Sequence, residues 1–103
     1  MKKNEKQEAK HEDAQWYDFS KVMLEVNIGE FDEIDLSHVV GNNIHRLTSD
    51  IYYDELARKI YKDGKVLLSE SDVRVIKLYI NSDRCDMNIG AREACNKLLT
   101  LNS

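Results

Sequence analysis

A chain of 103 residues that is 42% hydrophobic can bury one core and has no room for a second domain of ordinary size. With 33% charged residues and a formal net charge of −4, it lacks the generally basic surface that binds nucleic acid or an anionic membrane through bulk electrostatics. Its longest apolar runs fall far short of the roughly 20 residues that a spanning helix needs.

Residues 1–14 alternate lysines with carboxylates and carry no large apolar side chain after Met1, so burial cannot offset the entropy of ordering them. They read as a disordered charged tail, with residues 15–103 as a single domain. The tail also lacks the apolar run of a secretory signal, and Cys85 and Cys95 are spaced neither as a CxxC redox pair nor as a zinc knuckle. Both thiols are expected to be reduced and structural, which places the chain in a reducing cytoplasm.

Trp16, Tyr17 and Phe19 are expected to cover one end of the core, because clustered rings seek partners. From Lys21 the hydrophobic period becomes two: Val22, Leu24, Val26 and Ile28 share one face, with Met23, Glu25 and Asn27 on the other. Gly29 supplies a turn, and Phe31, Glu33, Ile34 and Leu36 carry a returning strand, which predicts a β-hairpin. The hairpin is acidic. Glu30, Asp32, Glu33 and Asp35 help to give residues 18–35 a local charge of −5, yet the alternating oxygen ligands of a calcium loop are missing. Such an edge either meets a basic partner surface or keeps strand edges from aggregating.

Ser37 is placed to cap a helix running to Leu47, with Leu36, Val39, Val40, Ile44 and Leu47 on one face. Gly41 interrupts this helix at a cost of about 1 kcal/mol against alanine, which predicts that another backbone, that of the hairpin, passes close to it. Thr48, Ser49 and Asp50 cap a second helix, in which Ile51, Tyr53, Leu56, Ala57, Ile60 and Tyr61 recur at helical spacing until Asp63-Gly64 stops it. Lys65–Leu68 forms an extended link or an edge strand. Ser69-Glu70-Ser71-Asp72 then caps a third helix with Val73, Ile76, Tyr79 and Ile80 inward. After a loop over 81–86, a helix over 88–101 is expected to bury Ile89, Ala91, Ala94, Cys95, Leu98 and Leu101. The resulting fold is α+β: an N-terminal two-stranded β-hairpin packed against three to four short helices. Its expected core is Val22, Leu24, Val26, Leu36, Val40, Ile44, Leu56, Ile60, Val73, Ile76, Ile80 and Leu98.

No constellation for catalysis emerges. His11, His38 and His45 have no nucleophile elbow or phosphate loop nearby. His38 and His45 lie seven positions apart, whereas zinc-binding helices space histidines at i and i+4. The sequence therefore predicts no catalytic residue, cofactor or metal, and points to a protein-interaction module. Glu30, Asp32 and Glu33 are its candidate contact residues for a partner with a basic surface, together with Tyr52, which falls off the main apolar face of its helix. The hairpin's free edges leave homo-oligomerisation open. The alternative is a small DNA-binding regulator that uses the helix around 70–81, with Arg74 and Lys77 facing a groove. The long connection over 63–69 and the acidic Glu70 and Asp72 at the approaching helix end speak against it.

Ile34-Asp35-Leu36-Ser37, Gly41-Asn42 with Ile44, the run Glu55-Leu56-Ala57-Arg58-Lys59-Ile60-Tyr61, Gly64-Lys65-Val66, and Leu68-Ser69 with Asp72 form a pattern covering residues 20–82. This pattern resembles a group of small uncharacterised proteins encoded by bacterial prophages and other mobile elements. The resemblance implies a phage-related or mobile-element setting and assigns no functional residue.

Overall fold

Residues 14–101 are described by the structure, a computed structural model, so the expected tail lies, apart from Ala14, outside the described residues. The elements run β1 (Gln15–Asp18), β2 (Val22–Asn27), β3 (Glu30–Ile34), α1 (Ser37–Leu47), α2 (Ile51–Asp63), β4 (Lys65–Leu68), α3 (Glu70–Ile80) and α4 (Ile89–Leu101). The fold is α+β, with two antiparallel two-stranded sheets, β1 with β4 and β2 with β3.

The β2–β3 hairpin forms, but its alternation breaks. Val22 faces Ile34 and Leu24 faces Asp32, whereas a bulge between Glu25 and Asn27 leaves Val26 with no opposite residue. One extra residue shifts the pleat and bends the strand. Val22 enters the core and Leu24 is half-buried, but beyond them both faces of the hairpin are exposed, Val26 among them, and Ile28 at the turn is 100% exposed. Val26 does not join the core that strict alternation predicted. At the tip, Gly29 takes φ +80°, its N–H donates to Glu25 Oε2 at 2.7 Å, and Asn27 Nδ2 donates to Glu30 Oε1 at 2.8 Å.

The second sheet lies beneath the helices. Tyr17 pairs with Val66, and Phe19 N–H donates to the Gly64 carbonyl at 2.7 Å. Tyr17 and Phe19 are buried whereas Trp16, on the opposite face of β1, is exposed. The expected aromatic cover is thus two rings. Lys65–Leu68 is a true strand, with Val66 and Leu68 in the core.

Local chemistry sets the helix ends. Asp35 organises the start of α1 where Ser37 was expected to: Ser37 N–H and Oγ both donate to Asp35 Oδ1, at 2.9 and 2.6 Å. Those bonds, the hydroxyl's first, hold the Asp35 carboxyl below its ordinary value. Asp50 accepts Tyr52 N–H at 2.9 Å, and Gly64 at φ +76° ends α2. Ser69 and Asp72 form a reciprocal capping box on α3. Asn88 Oδ1 accepts Ala91 N–H at 2.8 Å at the start of α4.

The core gathers Phe19, Val40, Ile44, Ile60, Leu68, Ile76, Ile80, Cys95 and Leu99, all fully enclosed. Leu99 takes the central place expected for Leu98, which is half-buried, and Ile89 is exposed while Ala91 of the same turn is buried, so the first turn of α4 presents Ile89 on its outer side. The side chain of Leu101 lies outside the described residues. The backbone close to Gly41 belongs to α2 and not to the hairpin. A Cβ on Gly41 would stand 2.7 Å from the Ala57 carbonyl oxygen and 2.9 Å from Tyr61 Cβ. Asn43, also buried, pins the loop before α4 to α1. Its Oδ1 accepts Asp86 N–H at 2.7 Å and Arg46 Nη2 at 2.7 Å, and its Nδ2 donates to the Val39 carbonyl at 2.8 Å.

Two substitutions test this frame by urea denaturation. Gly41→Ala gains about 1 kcal/mol of helix propensity but must push two backbones apart, so a net loss of about 1–3 kcal/mol is expected. An unchanged midpoint would mean that the helices separate freely. Asn43→Ala strands the Asp86 N–H and is expected to cost about 1–3 kcal/mol; a loss below about 0.5 kcal/mol would show that water replaces the amide.

Candidate functional site

Every residue from 25 to 33 is exposed, so the outer half of the hairpin contributes nothing to the core. The half nearer the core is held at the start of α4, where Leu24 Cδ1 lies 3.6 Å from the position of a Cβ on Gly90. Met23 stands opposite Glu33, and Glu25 opposite Phe31. With the pleat's alternation, these four share the outward face, Met23 and Phe31 being diagonal neighbours flanked by the two glutamates. Met23 is 57% and Phe31 50% exposed. Asp32 pairs with Leu24 and belongs to the other face.

The structure thus brings Glu30, Asp32 and Glu33 onto one arm, all exposed, with Glu30 also bracing the turn through Asn27. Sequence reasoning missed the apolar half of this surface. Met23 and Phe31 carried a signal, since they flank charged residues in the alternating pattern. Ile28 and Val26 carried none, because alternation marks which residues share a face and not how far a hairpin extends past the core.

Tyr52 sits on α2, apart from the arm. It is 49% exposed, but its hydroxyl donates to Asp72 Oδ2 at 2.9 Å, while the Tyr53 hydroxyl donates to Asp72 Oδ1 at 3.2 Å. The two rings meet edge to face with centroids 4.9 Å apart. Asp72 itself is 4% exposed, and its Oδ2 also accepts Ser69 N–H at 3.0 Å. Desolvation first, and the bonded Asp72 carboxylate with it, push both phenols up to about 12. Tyr52 therefore serves a polar network that joins the start of α2 to the cap of α3.

Arg74 is exposed on α3, while Lys77 Nζ donates to Thr100 Oγ1 at 3.1 Å across to α4. The two cations of the DNA-binding alternative thus differ in availability. His38 stacks on Tyr61, centroids 4.1 Å apart, and His45 Nδ1 bonds Asp54 Oδ1. Among the described residues no three His, Cys, Asp or Glu side chains converge to hold a metal ion. Burial pushes the Cys85 thiol up and raises that of Cys95 to about 12, opposite to the direction that activates a nucleophile.

A groove of about 480 Å³ runs between α1 and α2, lined by Gly41, Asn42, His45, Ala57, Arg58, Tyr61 and Lys62. Its floor is a glycine and an alanine, and no carboxylate lines it. Arg58 Nε donates to Asp54 Oδ2 at 3.0 Å, whereas Lys62 makes no ion pair among the described residues. His45 and Arg58 hold the Asp54 carboxyl below its ordinary value.

No described helix is long and apolar enough to cross a membrane. No protein-family model matches the chain, and it matches no curated protein and no solved structure.

The Tyr52–Tyr53–Asp72 network is testable by alkaline titration. Phenols held near 12 in the folded chain ionise at about 10 once unfolded. The folded state therefore retains protons that the unfolded state releases, and stability is lost as pH rises from about 10 to about 12. Tyrosinate absorbance should show a late component near pH 12 that Tyr52→Phe and Tyr53→Phe each reduce. Complete titration near the ordinary value of about 10 would contradict the network.

Proposed function

We propose that this chain is a non-enzymatic protein-interaction module of a phage or mobile element, docking through the outer half of hairpin β2–β3. The observation that carries the reading is the exposure of residues 25–33 with apolar and acidic side chains together. An exposed Phe31, Met23, Val26 and Ile28 on so small a fold mark a surface that gains from being covered. Glu25, Glu30, Asp32 and Glu33 surround them without an intervening cation, which favours a partner that pairs apolar contacts with basic side chains. The carboxylates steer approach and reject acidic surfaces, while the apolar side chains supply the buried area.

The DNA-binding alternative draws less support. Lys77 is engaged with Thr100, and Glu70 and Asp72 stand in the first turn of α3, the end that would approach phosphates.

The test is affinity capture from nuclease-treated host lysate with the mobile element active, comparing the native chain with Glu30→Lys/Asp32→Lys/Glu33→Lys. The variant should fold with stability changed by no more than about 0.5 kcal/mol per substitution, because these positions are exposed, and should lose a stoichiometric protein partner. Retention of every captured partner by the variant would overturn the docking assignment. Capture of DNA in untreated lysate, weakened by Arg74→Ala, would favour the regulator instead.

A further inference from the structure

The same molecule presents a surface of the kind that the hairpin seeks. In a chain of net charge −4, the α1–α2 groove carries Arg58 and Lys62 over an apolar floor, with Lys62 unpaired among the described residues and Arg58 Nε engaged by Asp54 at the groove's edge. The Tyr61 ring, steadied by its stack on His38, forms one wall. The groove's volume of about 480 Å³ admits several aliphatic or aromatic side chains. The hairpin offers the complement: a fully exposed Ile28 at the tip, Val26 and Phe31 behind it, and Glu25, Glu30, Asp32 and Glu33 around them.

From this match of charge and apolarity we infer that the hairpin tip of one copy docks into the α1–α2 groove of a second copy. This deepens the reading of the hairpin as a docking arm by naming a partner, and it rests on that reading. Ile28 and Phe31 enter over Gly41 and Ala57, and the arm's carboxylates meet Lys62 and Arg58. The two surfaces are different patches, so the contact is heterologous: each copy retains one free arm and one free groove, and assembly continues until it closes into a ring or grows as a filament. This differs from two hairpins pairing edge to edge across a two-fold axis, in which each copy would use the same patch.

The experiment is sedimentation of the full chain over a wide range of concentration. The native chain should gain mass with concentration and lose it as salt rises. An arm variant, Ile28→Ser/Phe31→Ser, and a groove variant, Arg58→Glu/Lys62→Glu, should each associate at least tenfold more weakly alone. Circular dichroism checks that both remain folded. Mixed, they should form a 1:1 dimer that does not grow, because one intact arm and one intact groove remain. Persistent association of the groove variant alone would assign the contact to hairpin pairing and overturn the inference. So would a native chain that stays monomeric to its solubility limit, or a mixture that does not pair. In the monomeric case the lysate capture decides separately whether the arm serves a foreign partner.

Discussion

The crossing of α1 over α2 is the contact on which the rest of the domain is built, and it exists because position 41 has no side chain. With a Cβ there, the Ala57 carbonyl oxygen would lie at 2.7 Å, inside any tolerable contact. The absent methyl lets two backbones approach, and that approach brings Val40 and Ile44 on one helix into the same enclosed core as Ala57 and Ile60 on the other. It also makes the floor of the groove between them. One residue thus determines both an interior packing distance and an exterior concavity.

Around that crossing, the buried polar side chains of Asp72 and Asn43 gather several bonds each. Asp72 accepts from Ser69, Tyr52 and Tyr53, so a charge that would be costly to bury closes the cap of α3 and fastens it to the first turn of α2. Asn43 does comparable work between α1 and the loop before α4. Arg92 is less complete: its Nη2 reaches the Cys85 and Met87 carbonyls at 3.3 Å, while its buried Nε finds no partner. The loop over 81–88 is held both by such directional bonds, among them the paired amides of Asn81 and Asn96, and by Cys85 and Met87, which enter the core.

Much of this was legible in the residues. The caps at Asp50 and Ser69 and the stop at Gly64 arise from neighbours in sequence and stand where the pattern put them, as do Leu56, Ala57 and Ile60 on α2 and Val73, Ile76 and Ile80 on α3, whereas Ile51 and Tyr61, expected on the apolar stripe of α2, are exposed. What the sequence hid is non-local. The partner of Gly41 is sixteen or more positions away, and nothing in the sequence marks α2 in place of the hairpin. Strand β1 is four residues long and is stabilised by pairing with β4. Of the candidate site, the carboxylates of the hairpin were readable as charge. The exposure of Val26 and Ile28 was not, since it depends on how far the hairpin runs past the body, beyond the one unpaired residue in its ladder.

That unpaired residue separates two kinds of selection. Inward of Val26, a changed side chain disturbs Val22, Leu24 and Ile34 against the core. Beyond it, apart from the glycine that the turn requires, side chains touch little but solvent and one another, so exchanging them changes stability only slightly. The arm can therefore drift toward new surfaces while the body stays folded, and lineages sharing this scaffold would diverge most rapidly over the positions from 27 to 33 other than Gly29.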